Sequence, residues 1–345
     1  MFKKLKNIFI CLLVLSAAVH VFDLIGQPGT PVKRFKLLAG GDIMFDWGLR
    51  QVMKSKGKFV PVDNLLPLFI EADFSMANLE TPVSETAEDI DRLKSYVFNA
   101  KPSEMEVLNH LGIDLVFLAN NHTMDYGVKG IEETFKHLKK YNLHHVGAGR
   151  NLKESFLPFT VAGLNARIYS VSQIGETRLF ATDKKPGAAP FVMSTLKSIP
   201  DKTKLNILSV HWGQEYNPEP MPSQITNAHE LINAGFRIII GHHPHIPQGI
   251  EKYKNGIIFY SLGNFIFGSR NPYLNHNMIV MLHFENENPV LAEIIPVFGK
   301  FQEAEHIFGP VKTDEAESFL QEIAVLSLKL NTKLEIRNGR GYIKL

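Results

Sequence analysis

Five short apolar runs in this chain end on carboxylate, amide or imidazole side chains, and that recurrence restricts the fold more than any other feature. Asp42 follows Leu37-Leu-Ala-Gly-Gly41, and Asn78 with Glu80 follows Phe74-Ser-Met-Ala77. Asn120, Asn121 and His122 follow Leu115-Val-Phe-Leu-Ala119, His211 follows Ile207-Leu-Ser-Val210, and His242, His243 and His245 follow Ile238-Ile-Ile-Gly241. Such runs read as strands, here over 35–39, 74–77, 114–118, 205–210 and 236–240. Amphipathic stretches lie between them at 128–141, with Ile131, Phe135 and Leu138 on one face, and at 223–234. Strands alternating with helices imply a layered α/β fold. In an open α/β sheet, ligands gather beyond the carboxyl ends of the strands, where loops converge and backbone groups are free. All five ends would therefore deliver carboxylate, amide and imidazole to one region.

Beyond Gly256 the pattern changes. Segments 257–260, 278–284 and 291–297 read as strands joined by short turns without helices, which predicts an antiparallel portion added to the first sheet or forming a second one. Residues 313–329 read as a helix, and 333–336 with 342–344 as a closing strand pair.

The N-terminus carries a transport pattern. MFKKLKN leads into IFICLLVLSAAVHVF, a basic stretch before a continuous apolar run. Read as a cleavable signal peptide, Ser16 and Ala18 supply the small residues of the cut site. Read as an uncleaved anchor, residues 8–26 approach bilayer-spanning length, although His20 and Asp23 weaken the far end. The rest of the chain is expected outside the cytoplasm, either held on the cell membrane or secreted after cleavage. Turn formers at 27–31 make a linker, so residues 1–30 are set apart from a folded part that starts near Phe35. Cys11, the only cysteine, lies inside the apolar run, which leaves the exported part without disulfide or thiolate chemistry. A net charge of +2 is too slight to imply a nucleic-acid partner.

Taken singly, an Asp or Asn after a strand is a turn former or helix cap, and a lone His211 beside Trp212 is a packed imidazole. The GHHPH segment resists that reading, because three crowded imidazoles repel when charged and need partners when buried. Carboxylate, amide carbonyl and imidazole together suit Zn²⁺, Mn²⁺ or Fe²⁺, whereas magnesium or calcium would favour all-oxygen ligands. One or two such ions would lower the pKa of a water for attack on a phosphorus or carbonyl centre.

GDIMF, NLETPVS, LANNHTMDYG, GAGRN, HWGQEY, GHHPHIPQGIE and YSLGNFIF, in that order, resemble the bacterial capsule-synthesis CapA family of poly-γ-glutamate capsules. Its domain is similar to the calcineurin-like metallophosphoesterases. The resemblance implies an α-β-β-α sandwich with mixed sheets over 31–300, with 301–345 as a helix-and-strand extension of the same domain. It further implies Asp42, Glu80, Asn121, His211, His243 and His245 as metal ligands, His122 as the general acid and Asp125 as the residue that orients it. Asn78, His242, Glu215 and Asn264 would support the ligands or meet substrate, with His242 and His243 able to exchange roles; Arg270 could bind an anionic group. Two departures from the phosphoesterase pattern stand out: Met44 occupies the usual histidine position of D-x-H, and N-L-E replaces G-D-x-x-D. A first metal site without that imidazole would be weaker, carboxylate-rich or empty.

Three functions are therefore expected to compete. The first is an envelope protein that makes, exports or releases an anionic capsular polymer through a metal-dependent hydrolase site. The second is an extracytoplasmic phosphoesterase acting on phosphorylated substrates. The third is a membrane-tethered, non-catalytic subunit that serves a polymer synthase.

Overall fold

The apolar strands predicted from the sequence are present, and most extend further than their apolar cores. The computed structural model describes residues 32–85, 94–269, 276–298 and 306–345, so the signal or anchor segment and Arg270 lie outside the described residues. Among the described residues no helix is long and apolar enough to cross a membrane.

In chain order the strands are β1 Arg34–Met44, β2 Phe74–Leu79, β3 Leu115–Phe117, β4 His144–Val146, β5 Ala148–Gly149, β6 Phe159–Val161, β7 Ala166–Ser172, β8 Gly187–Ala188 and β9 Leu205–His211. They continue with β10 Ile238–His242, β11 Ile250–Tyr253, β12 Gly256–Phe259, β13 Asn264–Phe267, β14 His276–Glu285, β15 Asn288–Phe298, β16 Gly309–Pro310, β17 Glu335–Arg337 and β18 Arg340–Lys344. The longer helices are α1 Trp47–Lys56, α2 Met105–Leu111, α3 Gly127–Lys140, α4 Pro222–Ala234 and α5 Thr313–Leu328.

The larger sheet has the order β17-β18-β15-β14-β1-β2-β3-β4, with β13 also paired to β1 and β16 to β15. The smaller has the order β11-β12-β10-β9-β7-β6. Both are mixed: β1, β2, β3 and β4 run parallel while β14 runs antiparallel to β1, and β7, β9, β10 and β12 run parallel while β11 runs antiparallel to β12.

Strand alternation sorts the core into layers, because neighbouring residues face opposite sides of a sheet. Leu37 of β1, Phe117 of β3, Ile207 of β9 and Ile238 of β10 share one buried cluster between the sheets. Leu38 and Val116 instead pack outward with Leu49 of α1, Leu108 of α2 and Ile131 of α3. On the other side Leu208 and Ile239 pack with Leu231 and Ile232 of α4. Helices thus cover both outer faces. Phe319, Leu320 and Ile323 of α5 enter the middle cluster, so the C-terminal helix belongs to the same compact unit, Arg34–Leu345.

The region after Gly256 divides between the sheets. As predicted, β14 and β15 form an antiparallel pair on the larger sheet. The 257–260 segment differs: β12 runs parallel to β10 in the smaller sheet, and β13 then pairs in parallel with β1. The chain crosses between sheets at 260–263, and Gly263 makes the turn with φ 74°. Its carbonyl accepts from the Asp42 amide at 3.1 Å. Gly41 permits the approach, since a Cβ there would lie 2.0 Å from that carbonyl oxygen.

Candidate functional site

Strand register brings the predicted residues level. Asp42 of β1 pairs with Asn78 of β2 and Asn264 of β13, and His242 of β10 pairs with His211 of β9. Asp42 Oδ1 accepts from Asn78 Nδ2 at 2.8 Å and lies 3.1 Å from His242 Nδ1. Its Oδ2 accepts from the His243 amide at 3.3 Å and lies 3.5 Å from His245 Nδ1. His211 Nε2 is 2.8 Å from Asn121 Oδ1 and 3.4 Å from Glu80 Oε1. His245 Nδ1 is 3.0 Å from Asn264 Oδ1, an acceptor, so this nitrogen carries a proton.

Two trios have ligand atoms within 4.8 Å of one another, Glu80 with His243 and His245, and Asp42 with Glu80 and His211. All five side chains are buried. Of the adjacent histidines, whose roles the sequence leaves open, His242 donates to Asp42 and His243 stands in the trio with Glu80. Both His243, at φ 97°, and His245, at φ 60°, hold left-handed backbone conformations that non-glycine residues seldom adopt. Such strain clusters where side chains must be aimed.

Burial and charge divide the imidazoles of this cavity, holding His211 and His243 neutral while His245 keeps its proton beside the carboxyls. Neither Glu80 oxygen has a hydrogen-bond partner, and His242 Nε2 and His243 Nδ1 are likewise buried and unpartnered. Burial and then the Asp42 charge push the Glu80 carboxyl well above the usual range. Burial opposes ionisation of Asp42 too, but hydrogen bonds and charge from His242 and His245 hold it well below that range. Burial, then His243, pushes His211 far down, and burial with His245 pushes His243 to about 3. Burial also works against a charged His245, yet Glu80, Asp42 and Glu215 together raise it to about 9. Neutral His211 and His243 beside the Asp42 and Glu80 carboxyls, with both Glu80 oxygens and His243 Nδ1 unpartnered, fit a divalent cation. An ionised carboxylate without a donor is costly to bury, by several kcal/mol in order of magnitude.

A second group adjoins the first. His122 Nδ1 lies 2.7 Å from Asp125 Oδ2, and that carboxylate also accepts from the Phe98 amide at 2.8 Å. A carboxylate only accepts, so Nδ1 donates and Nε2 is the ring atom free to exchange a proton. Burial lowers the His122 pKa, with Asp125 partly opposing it. Phe98 stacks on the imidazole with centroids 4.0 Å apart. Lys94 completes the group, donating to Asp125 Oδ1 at 2.5 Å and to the Asn121 carbonyl at 2.7 Å. With Nδ1 protonated, its 3.3 Å approach to that atom is proximity and not a hydrogen bond.

Lys94 and Phe98 were not predicted from the sequence, and neither was the part played by Asn120. Asn120 Nδ2 donates to Asn78 Oδ1 at 3.1 Å and to the Leu79 carbonyl at 2.9 Å, tying β2 to the loop after β3. Only its place at a strand end signalled it. Glu215 is exposed and acts on Glu80 and His245 through its charge alone. Met44 is fully buried in an apolar cluster with Phe98 and Phe267, its sulfur accepting from the Asp46 amide at 3.0 Å. Phe267 in turn packs 5.1 Å from His245, so apolar packing fills this edge of the site.

Comparison with known proteins identifies relatives of the chain as a whole. The family described as bacterial capsule synthesis protein PGA_cap matches residues 36–269. The chain is similar to the capsule biosynthesis protein CapA of Bacillus anthracis, 30% identical over 272 residues, which cover 74% of this chain and 66% of that protein, just under two thirds of its length. Similarity to the PGA biosynthesis protein CapA of Bacillus subtilis (strain 168) is 29% over 307 residues, covering 85% of this chain and 80% of that one. A probable polyglutamine synthesis accessory protein of Mycobacterium tuberculosis is 25% identical over 280 residues, 67% of this chain and 73% of that protein. The chain therefore belongs to the PGA_cap family of bacterial capsule synthesis proteins.

Proposed function

We propose that this protein takes part in the synthesis, export or release of an anionic capsular polymer of the poly-γ-glutamate type, through a buried divalent-metal site of the hydrolase kind on a metallophosphoesterase-like scaffold. The names of its relatives support the polymer. The observation that carries the metal is Glu80, whose two buried oxygens face imidazoles and lack any hydrogen-bond donor.

Asp42, Glu80, Asn121, His211, His243 and His245 would hold one or two ions of Mn²⁺, Zn²⁺ or Fe²⁺. When bound, such an ion supplies Lewis-acid polarisation of a carbonyl or phosphoryl oxygen and a lowered water pKa. The chain's own part lies in proton handling and exclusion of water. His122 exchanges a proton at Nε2 and, once protonated, returns it to the leaving group; Asp125 fixes the tautomer and stabilises the imidazolium. Lys94 holds Asp125 in place from the other side. Phe98 shields one face of the ring.

The apolar segment at 1–30 is read as tethering the protein to the outer face of the cell membrane, next to membrane-bound synthase subunits. A second reading, a tethered accessory protein without turnover, is favoured by one observation, the apolar packing of Met44 where a ligand imidazole would stand.

Elemental analysis of the purified full chain, beside a His243→Ala plus His245→Ala variant, tests the site. Near-stoichiometric metal lost in the variant is expected. No metal in either protein after incubation with Mn²⁺ or Zn²⁺ would overturn the hydrolase reading. Hydrolysis of oligo-γ-glutamate against an aryl phosphate then separates a polymer hydrolase from a phosphoesterase.

A further inference from the structure

The two ends of the smaller sheet carry opposite chemistry. Its carboxyl ends hold His211 and His242. Its amino ends hold cations: Lys204 directly precedes β9, Arg237 directly precedes β10, and Lys254 stands two residues before β12. These strands are adjacent and parallel, so the cations sit side by side. Lys202 joins them in two adjoining clefts of about 510 and 300 Å³ that share Lys202, Lys204 and Arg237.

None of the four cations pairs with a carboxylate among the described residues. Lys204 donates to Asn165 Oδ1, Arg237 to the Asn255 carbonyl and Lys254 to Asn233 Oδ1, all neutral acceptors. The nearby Asp201 is engaged by Thr203 and Arg167. Glu287 is the one acid among the residues lining the smaller cleft. Helix α4 ends here, but a helix terminus carries only about half a charge, far less than four cations.

The patch also lies where the folded unit begins. Arg34, the first residue of β1, pairs with Glu285, and the following turn, Asn286 and Glu287, lines the cleft with Lys202, Lys204 and Arg237. A strand of seven residues spans roughly 20 Å, which separates this face from the metal-ligand end. A soluble polymer on its way to the metal site would bind near that end, whereas this patch lies at the opposite one.

We infer that the basic face formed by Lys202, Lys204, Arg237 and Lys254 docks on an anionic lipid surface, turning the candidate metal site away from the bilayer. This rests on the reading of residues 1–30 as a membrane tether. Each such cation near an anionic leaflet strengthens attachment by about five-fold, so four are enough to orient a tethered domain.

The test is hydrogen exchange of the full chain in phosphatidylglycerol and phosphatidylcholine nanodiscs. We expect slowed exchange at 202–205, 235–237 and 254–256 in the anionic discs, reversed by high salt and lost in Lys202→Gln plus Lys254→Gln, two exposed positions. Equal exchange in both lipids, or protection that survives the double variant, would overturn the proposal. Protection by soluble oligoglutamate without lipid would overturn it in favour of a polymer site. Recovery with neutral discs reads the tether separately: a chain that fails to enter them refutes the tether, while its salt-sensitive protection on anionic vesicles would still support the patch.

Discussion

Nδ1 of His242 lies 3.1 Å from Oδ1 of Asp42, two residues 200 positions apart on opposing sheets. One hydrogen bond therefore ties the sheets where their carboxyl ends meet, and it does so inside the candidate metal site. Asp42 also receives Asn78 from its own sheet. Its charge is thereby shared between both halves of the fold, and the expectations below follow from how tightly site and fold are joined.

Glu80→Gln should act in opposite directions with and without metal. In metal-free protein it removes a buried, unpartnered carboxylate and should raise stability by about 1–3 kcal/mol. With Mn²⁺ or Zn²⁺ it should abolish the stabilisation that a bound ion provides. Calorimetry with and without metal checks both signs, and a lower melting temperature of the metal-free variant would refute the account.

His122→Ala should lower turnover by about 10²–10⁴-fold with little change in metal content, since proton transfer and not metal retention is removed. Asp125→Asn should lower it less and shift the pH profile, because Nδ1 loses its anionic partner. Equal turnover in all three proteins would remove His122 from the chemistry.

Met44→His places an imidazole among Phe98 and Phe267. Metal-free protein should lose about 1–3 kcal/mol for the buried polar ring. If the site takes a first ion through this position, the number of ions bound per chain should rise. Elemental analysis against a urea melt reads the two effects independently.

Burial, with Arg150 and His144 adding to it, pushes His145 down to about 4. A lowered folded-state value means that the neutral ring favours the fold. Stability from this group is complete above the unfolded value near 6.5 and is lost as pH falls from there towards 4, by roughly 3 kcal/mol. Urea melts between those pH values should show the loss, and His145→Gln should flatten it.

Gly263→Ala should cost about 1–3 kcal/mol and loosen the site. At φ 74° a Cβ is strained, and it would lie 2.4 Å from Asn277 Oδ1. That oxygen accepts from the Asn264 amide at 2.8 Å, and Asn264 partners His245. Weaker metal retention alongside a lower melting temperature is the expected pair of results.

The residues that gather at the candidate site could be read in the sequence because each closes an apolar run, where local pattern and tertiary position coincide. Asp42, Glu80, His211 and His243 are of this kind. Lys94 could not be read, because its partner Asp125 lies 31 positions away and nothing around Leu93-Lys-Ser-Tyr96 marks it. β7 was missed for another reason. Ala166-Arg-Ile-Tyr-Ser-Val-Ser172 is buried along most of its length between β6 and β9, yet its arginine and serines obscure the apolar signal. The placement of β12 was set by non-local pairing with β10, which no local pattern carries. Helix α3 begins at Gly127 and ends at Lys140, within a residue of its apolar periodicity.

The crossing at 260–263 has a mechanical consequence. Trp212 Nε1 donates to the Tyr260 carbonyl and the Asp42 amide to that of Gly263, so the passing chain is fastened to both sheets at one end. The two sheets are bound like the leaves of a book, with the spine at the histidines. Thermal breathing must part the leaves from the opposite, fore edge, and His211, His243 and Asp42 should keep their spacing until the whole binding gives way.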